Sequence, residues 1–222
     1  MDFEKARFNM VEQQIRPWDV LDFDVLDALQ EIPRERFVGA EQQGYAYADM
    51  SLPLPNGSRM LEPKIVARMV QGLKLKNTDR VLEIGTGSGY ATALLAKLSK
   101  IVTTCDIDAY QLAAAQAVLG SLKQENIRYE NLDGLENLPA DAEFDAVYIG
   151  GSLKEIPGNL KKHLAVGGRM VVVAGSEPVQ RCILITRIGD TFSSQNLFET
   201  LAAPLQEQQA ETWYKATGKF RF

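Results

Sequence analysis

Histidine and cysteine are scarce in this chain, with one His and two Cys among 222 residues. A closed structural zinc site takes four ligands, which three such side chains cannot supply, so no metal is expected. Cys105 and Cys182 each lie inside an apolar run with the texture of a strand, and both are expected to be buried free thiols. Long apolar runs are missing too. Nothing approaches the roughly 20 uninterrupted residues of a membrane-crossing helix, and MDFEKARFNMVEQQIR lacks the apolar centre of a secretory leader. The expected setting is therefore cytoplasmic, without a membrane partner. An excess of positive charge is also lacking: 24 Lys and Arg against 29 Asp and Glu leave a net charge of -5. Broad neutralisation of phosphates, and with it a nucleic-acid partner, is not expected. Neither an internal repeat nor a low-complexity linker divides the chain. A 45% hydrophobic fraction is enough for one well-buried core, so one structural domain is expected.

What is present first is helical periodicity. Phe3, Phe8, Met10, Val11 and Ile15 recur at helical steps, Pro17 interrupts, and Val20 to Leu29 resume the pattern up to Pro33. Two short helices are predicted there. Residues 44 to 63 hold three prolines and two glycines with no period, which predicts a long loop, and an amphipathic helix is predicted over Ile65 to Leu75. From Arg80 onward short apolar strands alternate with helices. Strands are predicted at 81–84, 101–105, 127–132, 144–150 and 169–175, with helices at 90–98, 109–123 and 157–163. That alternation implies a doubly wound, mostly parallel Rossmann-like α/β sheet covered on both faces. Two last runs, 181–188 and 191–198, flank Gly189-Asp190 and predict a C-terminal antiparallel hairpin. The expected organisation is an N-terminal helical extension with a loop (1–78), a core (79–205) and a tail (206–222). The tail's Trp213, Tyr214, Phe220 and Phe222 are expected to pack on the same domain or to meet a partner.

The most informative stretch is VLEIGTGSGY, residues 81–90. Gly85, Gly87 and Gly89 alternate between a buried strand and a helix. There they permit positive φ and close approach of a ligand, while the helix presents unpaired N–H groups. Asp106 ends the next strand 21 residues after Gly85, near the spacing at which a carboxylate reaches a ribose. Asp133-Gly134 follows the third strand at the same edge, where Asp133 can accept from an adenine amino group. Three successive strand ends thus offer a cradle, a ribose acceptor and an adenine acceptor. GxGxG is one residue shorter than the dinucleotide fingerprint, and Glu83 lies two residues before it inside the strand. The single histidine, His163, lies near a predicted helix end, where its interaction with the helix dipole is explanation enough, so a nicotinamide proton relay has no evident candidate. S-adenosyl-L-methionine fits this edge better.

These residues resemble the class I S-adenosylmethionine methyltransferases and, more narrowly, the protein-L-isoaspartate O-methyltransferase family, from about residue 10 to 205. MVEQQIRP, VLDALQEIPRERFVG and AYADMSLPLPNG are similar to the family's N-terminal pieces, and VLEIGTGSGYATALLAKL to its first motif. LDG, FDAVYIGG and IPGNLKKHLAVGGRMVVVAG continue the match. The resemblance implies cofactor contacts at Gly85, Thr86, Gly87, Ser88, Gly89, Asp106, Asp133 and Gly134, with Glu83 beside them and Gln180 as a weaker contact. It also implies carboxyl O-methylation of L-isoaspartyl residues in damaged proteins. GSRMLEP, residues 57–63, is where the chain departs. The family usually has Gly-Gln-x-Ile-Ser-x-Pro here, with a serine implicated in catalysis and commonly a threonine two residues before it. Leu61 occupies the serine position and Arg59 the threonine position. Arg59 is either a contact for an acceptor carboxylate or a solvated loop arginine. A methyltransferase for another small-molecule acceptor and a non-catalytic cofactor-binding module are the alternatives that this departure opens.

Overall fold

The computed structural model describes residues 1–205; the aromatic tail lies outside the described residues. The chain opens with helix α1 (Phe3–Asn9), capped by the Asp2 carboxylate, which accepts from Lys5 N–H. It widens into a π-helical turn over Met10–Ile15 and tightens into a 3-10 turn over Arg16–Trp18. Pro17 cannot donate the next helical hydrogen bond, so the chain leaves through Asp19 at φ 63°. Helix α2 (Phe23–Glu31) then starts on the Asp22 cap, whose carboxylate accepts from the Asp24 and Val25 amides. Two helices before the core are as predicted.

The loop expected over residues 44 to 63 carries more order than its prolines suggest. Strands β1 (Leu52–Pro53) and β2 (Arg59–Met60) form a two-stranded antiparallel pair with Leu52 opposite Met60. Leu52 and Met60 are both buried, so a tertiary contact rather than local propensity holds the pair. Helix α3 (Pro63–Leu73) follows with Pro at its first position, and ends at Lys74 in the left-handed region.

The core is one seven-stranded sheet in the order β5-β4-β3-β6-β7-β8-β9. Its strands are β3 (Arg80–Ile84), β4 (Ile101–Cys105), β5 (Ile127–Glu130), β6 (Phe144–Leu153), β7 (Leu164–Ser176), β8 (Val179–Ile188) and β9 (Thr191–Glu199). β5 to β7 are parallel to β3, and β8 and β9 run antiparallel as the predicted hairpin. The chain goes out from β3 to β5, then returns to the other side of β3 for β6. The switch point therefore lies between β3 and β6, where open α/β sheets hold ligands.

The sheet is covered on both faces, as predicted, by helices on one and by turns on the other. α1 to α3, α4 (Tyr90–Leu98) and α5 (Ala109–Ser121) all contribute to one cluster, with Val81, Val102, Tyr148, Val171 and Cys182 from the sheet. The opposite face, made by Leu82, Ile84, Val147, Ile149 and Met170, is covered by turn residues such as Leu132, Leu135 and Ile156. The helix expected over 157–163 shrinks to one 3-10 turn, Leu160–His163. Gly158 and Asn159 remove helix propensity there, and Leu160 alone enters the core. The strand predicted to Leu132 stops at Glu130, because the chain turns to cover that face. Cys105 and Cys182 are free and buried, as expected.

Candidate active site

Strand β3 delivers the glycine turn to the carboxyl edge of the sheet. Gly85, Gly87 and Gly89 have φ of 85°, 53° and 84°, a region L side chains rarely enter. Gly85 N–H and Thr86 N–H donate to the Cys105 carbonyl at 2.8 and 3.3 Å, which fastens the turn to the end of β4. Thr86 and Thr104 share a hydroxyl hydrogen bond of 2.6 Å beneath it. Ser88 is buried, and its Oγ accepts from Tyr90 N–H at the start of α4. Across the switch point, β6 carries Gly150; a Cβ there would come within 2.5 Å of the Gly85 carbonyl oxygen. Glycines on both strands thus let the two backbones close on one cleft.

Two carboxylates stand on that cleft. Asp106 follows β4; its Oδ2 accepts from Gly87 N–H at 3.0 Å and its Oδ1 from Asp108 N–H at 3.0 Å. Burial pushes its pKa up, and the amide hydrogen bonds oppose that shift. Asp133 accepts from Leu135 N–H at 2.9 Å, and both carboxylates line the cleft with Gly85, Gly87 and Gly134. Gly134 packs against Cys105 and Ile84 so closely that a Cβ would overlap them. Glu83 lies deeper, between the sheet and α4, where it also lines an inner extension of the cleft. Its Oε2 accepts from Thr92 and, at 2.6 Å, from Thr104, tying β3 to α4 and β4. Burial pushes its carboxyl up to about 8. Among the residues described, no group of three or more His, Cys, Asp or Glu could hold a metal ion. His163 lies outside the cleft, with Nδ1 2.8 Å from the Ala142 carbonyl.

The opposite wall comes from the N-terminal layer. Arg59 lines the cleft from β2, with Nε and Nη2 donating to the Ser51 hydroxyl and carbonyl at 2.9 and 2.8 Å. Leu61 is buried and lines an inner extension of the cleft with Glu83, Tyr90 and Tyr148. That extension shares Gly85, Gly87 and Gly150 with the outer part.

Gln180 is placed outside the cleft. Its Oε1 accepts from Ala202 N–H at 2.8 Å and its Nε2 donates to the Ser152 hydroxyl at 3.2 Å. These bonds fix the segment 202–205 along the end of β6, where Ser152 exchanges backbone hydrogen bonds with Ala203 and Leu205. Leu205 then rests over Gly85 and forms part of the wall, so Gln180 borders the site through this segment. Sequence reading missed residues 202–205, Tyr90, Tyr148 and the buried Arg34. Tyr90, Tyr148 and Arg34 stand inside quoted stretches, but their place at the site depends on contacts with residues distant in the chain.

The glycine turn, open to close approach, and two carboxylates on one cleft fit an adenosine cofactor. Comparison with known proteins extends this beyond the edge. The Protein-L-isoaspartate(D-aspartate) O-methyltransferase family pattern matches residues 6–210. The chain is 37% identical over 205 residues to the protein-L-isoaspartate O-methyltransferase of Roseiflexus castenholzii, covering 92% of this chain and 94% of that one. It is 36% identical over 200 residues to the protein of the same name from Aliivibrio salmonicida, covering 90% and 96%. A Plasmodium falciparum structure described under the same family name, in complex with S-adenosyl-L-homocysteine, superposes with a TM-score of 0.78. At 18% identity, over 94% of this chain and all of that one, that likeness speaks for the fold. A match that takes in the N-terminal layer as well as the sheet separates this chain from methyltransferases sharing the core alone: it belongs to the protein-L-isoaspartate(D-aspartate) O-methyltransferase family.

Proposed function

We propose that this protein is an S-adenosyl-L-methionine-dependent methyltransferase that esterifies the free carboxyl of L-isoaspartyl residues in damaged proteins, in the cytoplasm. The family match from residue 6 to 210 carries the reading, because it spans both walls of the cleft. Residues 79–205 hold the cofactor, and the first 78 present the acceptor.

When bound, S-adenosyl-L-methionine supplies a methyl group on a sulfonium, already electrophilic toward an oxygen nucleophile. Asp106 would take the ribose hydroxyls and Asp133 the adenine amino group, while the positive-φ glycines of the turn would let the remainder approach the backbone closely. An acceptor carboxyl with a reference pKa of about 3.3 to 3.9 is ionised near neutrality and needs no general base. What the chain contributes is position: the acceptor oxygen has to lie roughly 3 to 3.5 Å from the methyl carbon, with water excluded. Arg59, at the cleft mouth, pairs with the acceptor carboxylate. Leu61 and Met60 exclude water without offering a hydrogen bond.

One observation favours a second reading. Leu61 and Met60 are both buried beside the inner cavity, giving it an apolar lip suited to a small apolar acceptor. Methyl transfer to an isoaspartyl peptide, beside its aspartyl twin, separates the two. Selective transfer supports isoaspartyl repair, and turnover confined to small molecules supports the second reading.

A further inference from the structure

Arg34 is fully buried and opens the 3-10 turn Arg34–Phe37. Its Nε donates to the Ala46 carbonyl at 2.8 Å, and its Nη2 donates to the Leu61 carbonyl at 2.9 Å. Its Cζ lies 4.6 Å from the centre of the Tyr90 ring, and Nη1 has no partner. No carboxylate pairs with it among the described residues, and burial pulls its pKa down. A buried guanidinium without a counter-ion is costly, and two carbonyls with one aromatic face compensate it only in part. The three groups that Arg34 touches belong to three different segments of the chain, two of which line the inner cavity. Ala46 follows the 3-10 segment Ala40–Tyr45 of the N-terminal layer. Leu61 lies between β2 and α3, beside the inner cavity. Tyr90 is the first residue of α4, directly after Gly89, which closes the glycine turn.

We propose that Arg34 is a positioning residue that couples the cofactor turn to the acceptor loop, holding Tyr90 through its ring and Leu61 through its carbonyl. This rests on the assignment of those two segments given above. It follows that the loop is placed through its backbone, so the side chain at position 61 can change without moving it. Lysine cannot replace this group, because an ammonium lacks the planar fork that spans two carbonyls while lying flat on a ring. A purely structural pin would lower stability when altered but would leave no dependence of one segment on the other.

Amide hydrogen exchange of residues 57–62, with and without saturating S-adenosyl-L-homocysteine, reads the coupling directly. In the unaltered protein the ligand is expected to raise protection of the loop about tenfold, a moderate coupling. In Arg34→Lys the gain is expected to fall below about threefold, the residue due to direct contact with Leu54 and Arg59 at the cleft. Tyr90→Leu cuts the other link and leaves both carbonyl hydrogen bonds, so it covers the case in which Arg34→Lys does not fold. The same loss is expected there, with ligand saturation and a cooperative thermal transition confirming the fold. An equal gain in the unaltered and altered proteins, or no gain in the unaltered one, overturns the coupling. Coupling without methyl transfer to an isoaspartyl peptide would remove the acceptor assignment alone; transfer without coupling would remove the role of Arg34 alone.

Discussion

The glycine turn and its carboxylates gather their polar contacts within residues 83–134, largely from backbone amides. The facing wall, residues 34–61, reaches the same cleft through side chains that cross long stretches of sequence. Arg34 meets Leu61 27 positions on, and Arg59 is fixed by Ser51 eight positions back. A glycine turn fixed by its own backbone hydrogen bonds keeps its shape whatever the neighbouring side chains are, whereas a wall made of side chains changes character with each substitution. The same fold can therefore keep its cofactor edge while altering what it presents to the acceptor.

The sharpest contrast is expected from Asp106→Ala. Losing hydrogen bonds from two ribose hydroxyls to a charged acceptor, at about 1.5 to 3 kcal/mol each, weakens S-adenosyl-L-homocysteine binding by roughly a hundredfold to ten-thousandfold. Titration calorimetry should show this while peptide binding stays nearly unchanged; an effect on both would merge the two halves. Leu61→Ser probes the other side. A new hydroxyl beside the inner cavity is expected to raise kcat/KM for an isoaspartyl peptide about tenfold, with cofactor affinity within about twofold. Arg59→Ala is expected to raise KM for peptide severalfold at unchanged cofactor affinity, and an unchanged KM would return Arg59 to a solvent-facing role.

Glu83, which underlies the cofactor edge, acts on stability and its pH dependence rather than on the affinity of either half. Its folded pKa of about 8 lies above the ordinary carboxyl value of 4.5, so between those two values the folded state holds a proton that the unfolded state has released. Its contribution is therefore present below about pH 4.5 and is lost as pH rises towards 8. The slope is at most about 1.4 kcal/mol per pH unit. Melting temperatures from pH 5 to 8 should fall in the unaltered protein and fall less in Glu83→Gln. Equal slopes would mean that Asp106, whose pKa is raised in the same direction, carries the dependence.

The sheet and the cradle were legible because their signals are local. VLEI followed by GTGSG marks a strand, a turn and a helix start within ten residues, and the Gly189-Asp190 hairpin is as compact. The facing wall was not. Nothing in PRERF marks Arg34 as buried, since its partners are the carbonyls of Ala46 and Leu61, and any residue supplies a carbonyl. The β1–β2 pair was hidden by Pro53 and Pro55, residues that argue for loop, and depends on the burial of Leu52 and Met60. The weaker contact that the resemblance implies at Gln180 has no local signal behind it, and its amide meets Ser152 and Ala202 and shapes the cleft at one remove. The helix expected over 157–163 shrinks to a 3-10 turn for a compositional reason, as Gly158 and Asn159 sit where its first turn would have to form.

The central claim is that position alone, without a serine at residue 61, suffices for methyl transfer to an isoaspartyl carboxylate. The direct measurement is transfer of a labelled methyl group from S-adenosyl-L-methionine to an isoaspartyl peptide and to its aspartyl twin, with cofactor binding titrated in the same preparation. Transfer to the isoaspartyl form and not to its twin is the predicted result. Cofactor binding with no transfer to either peptide would contradict it.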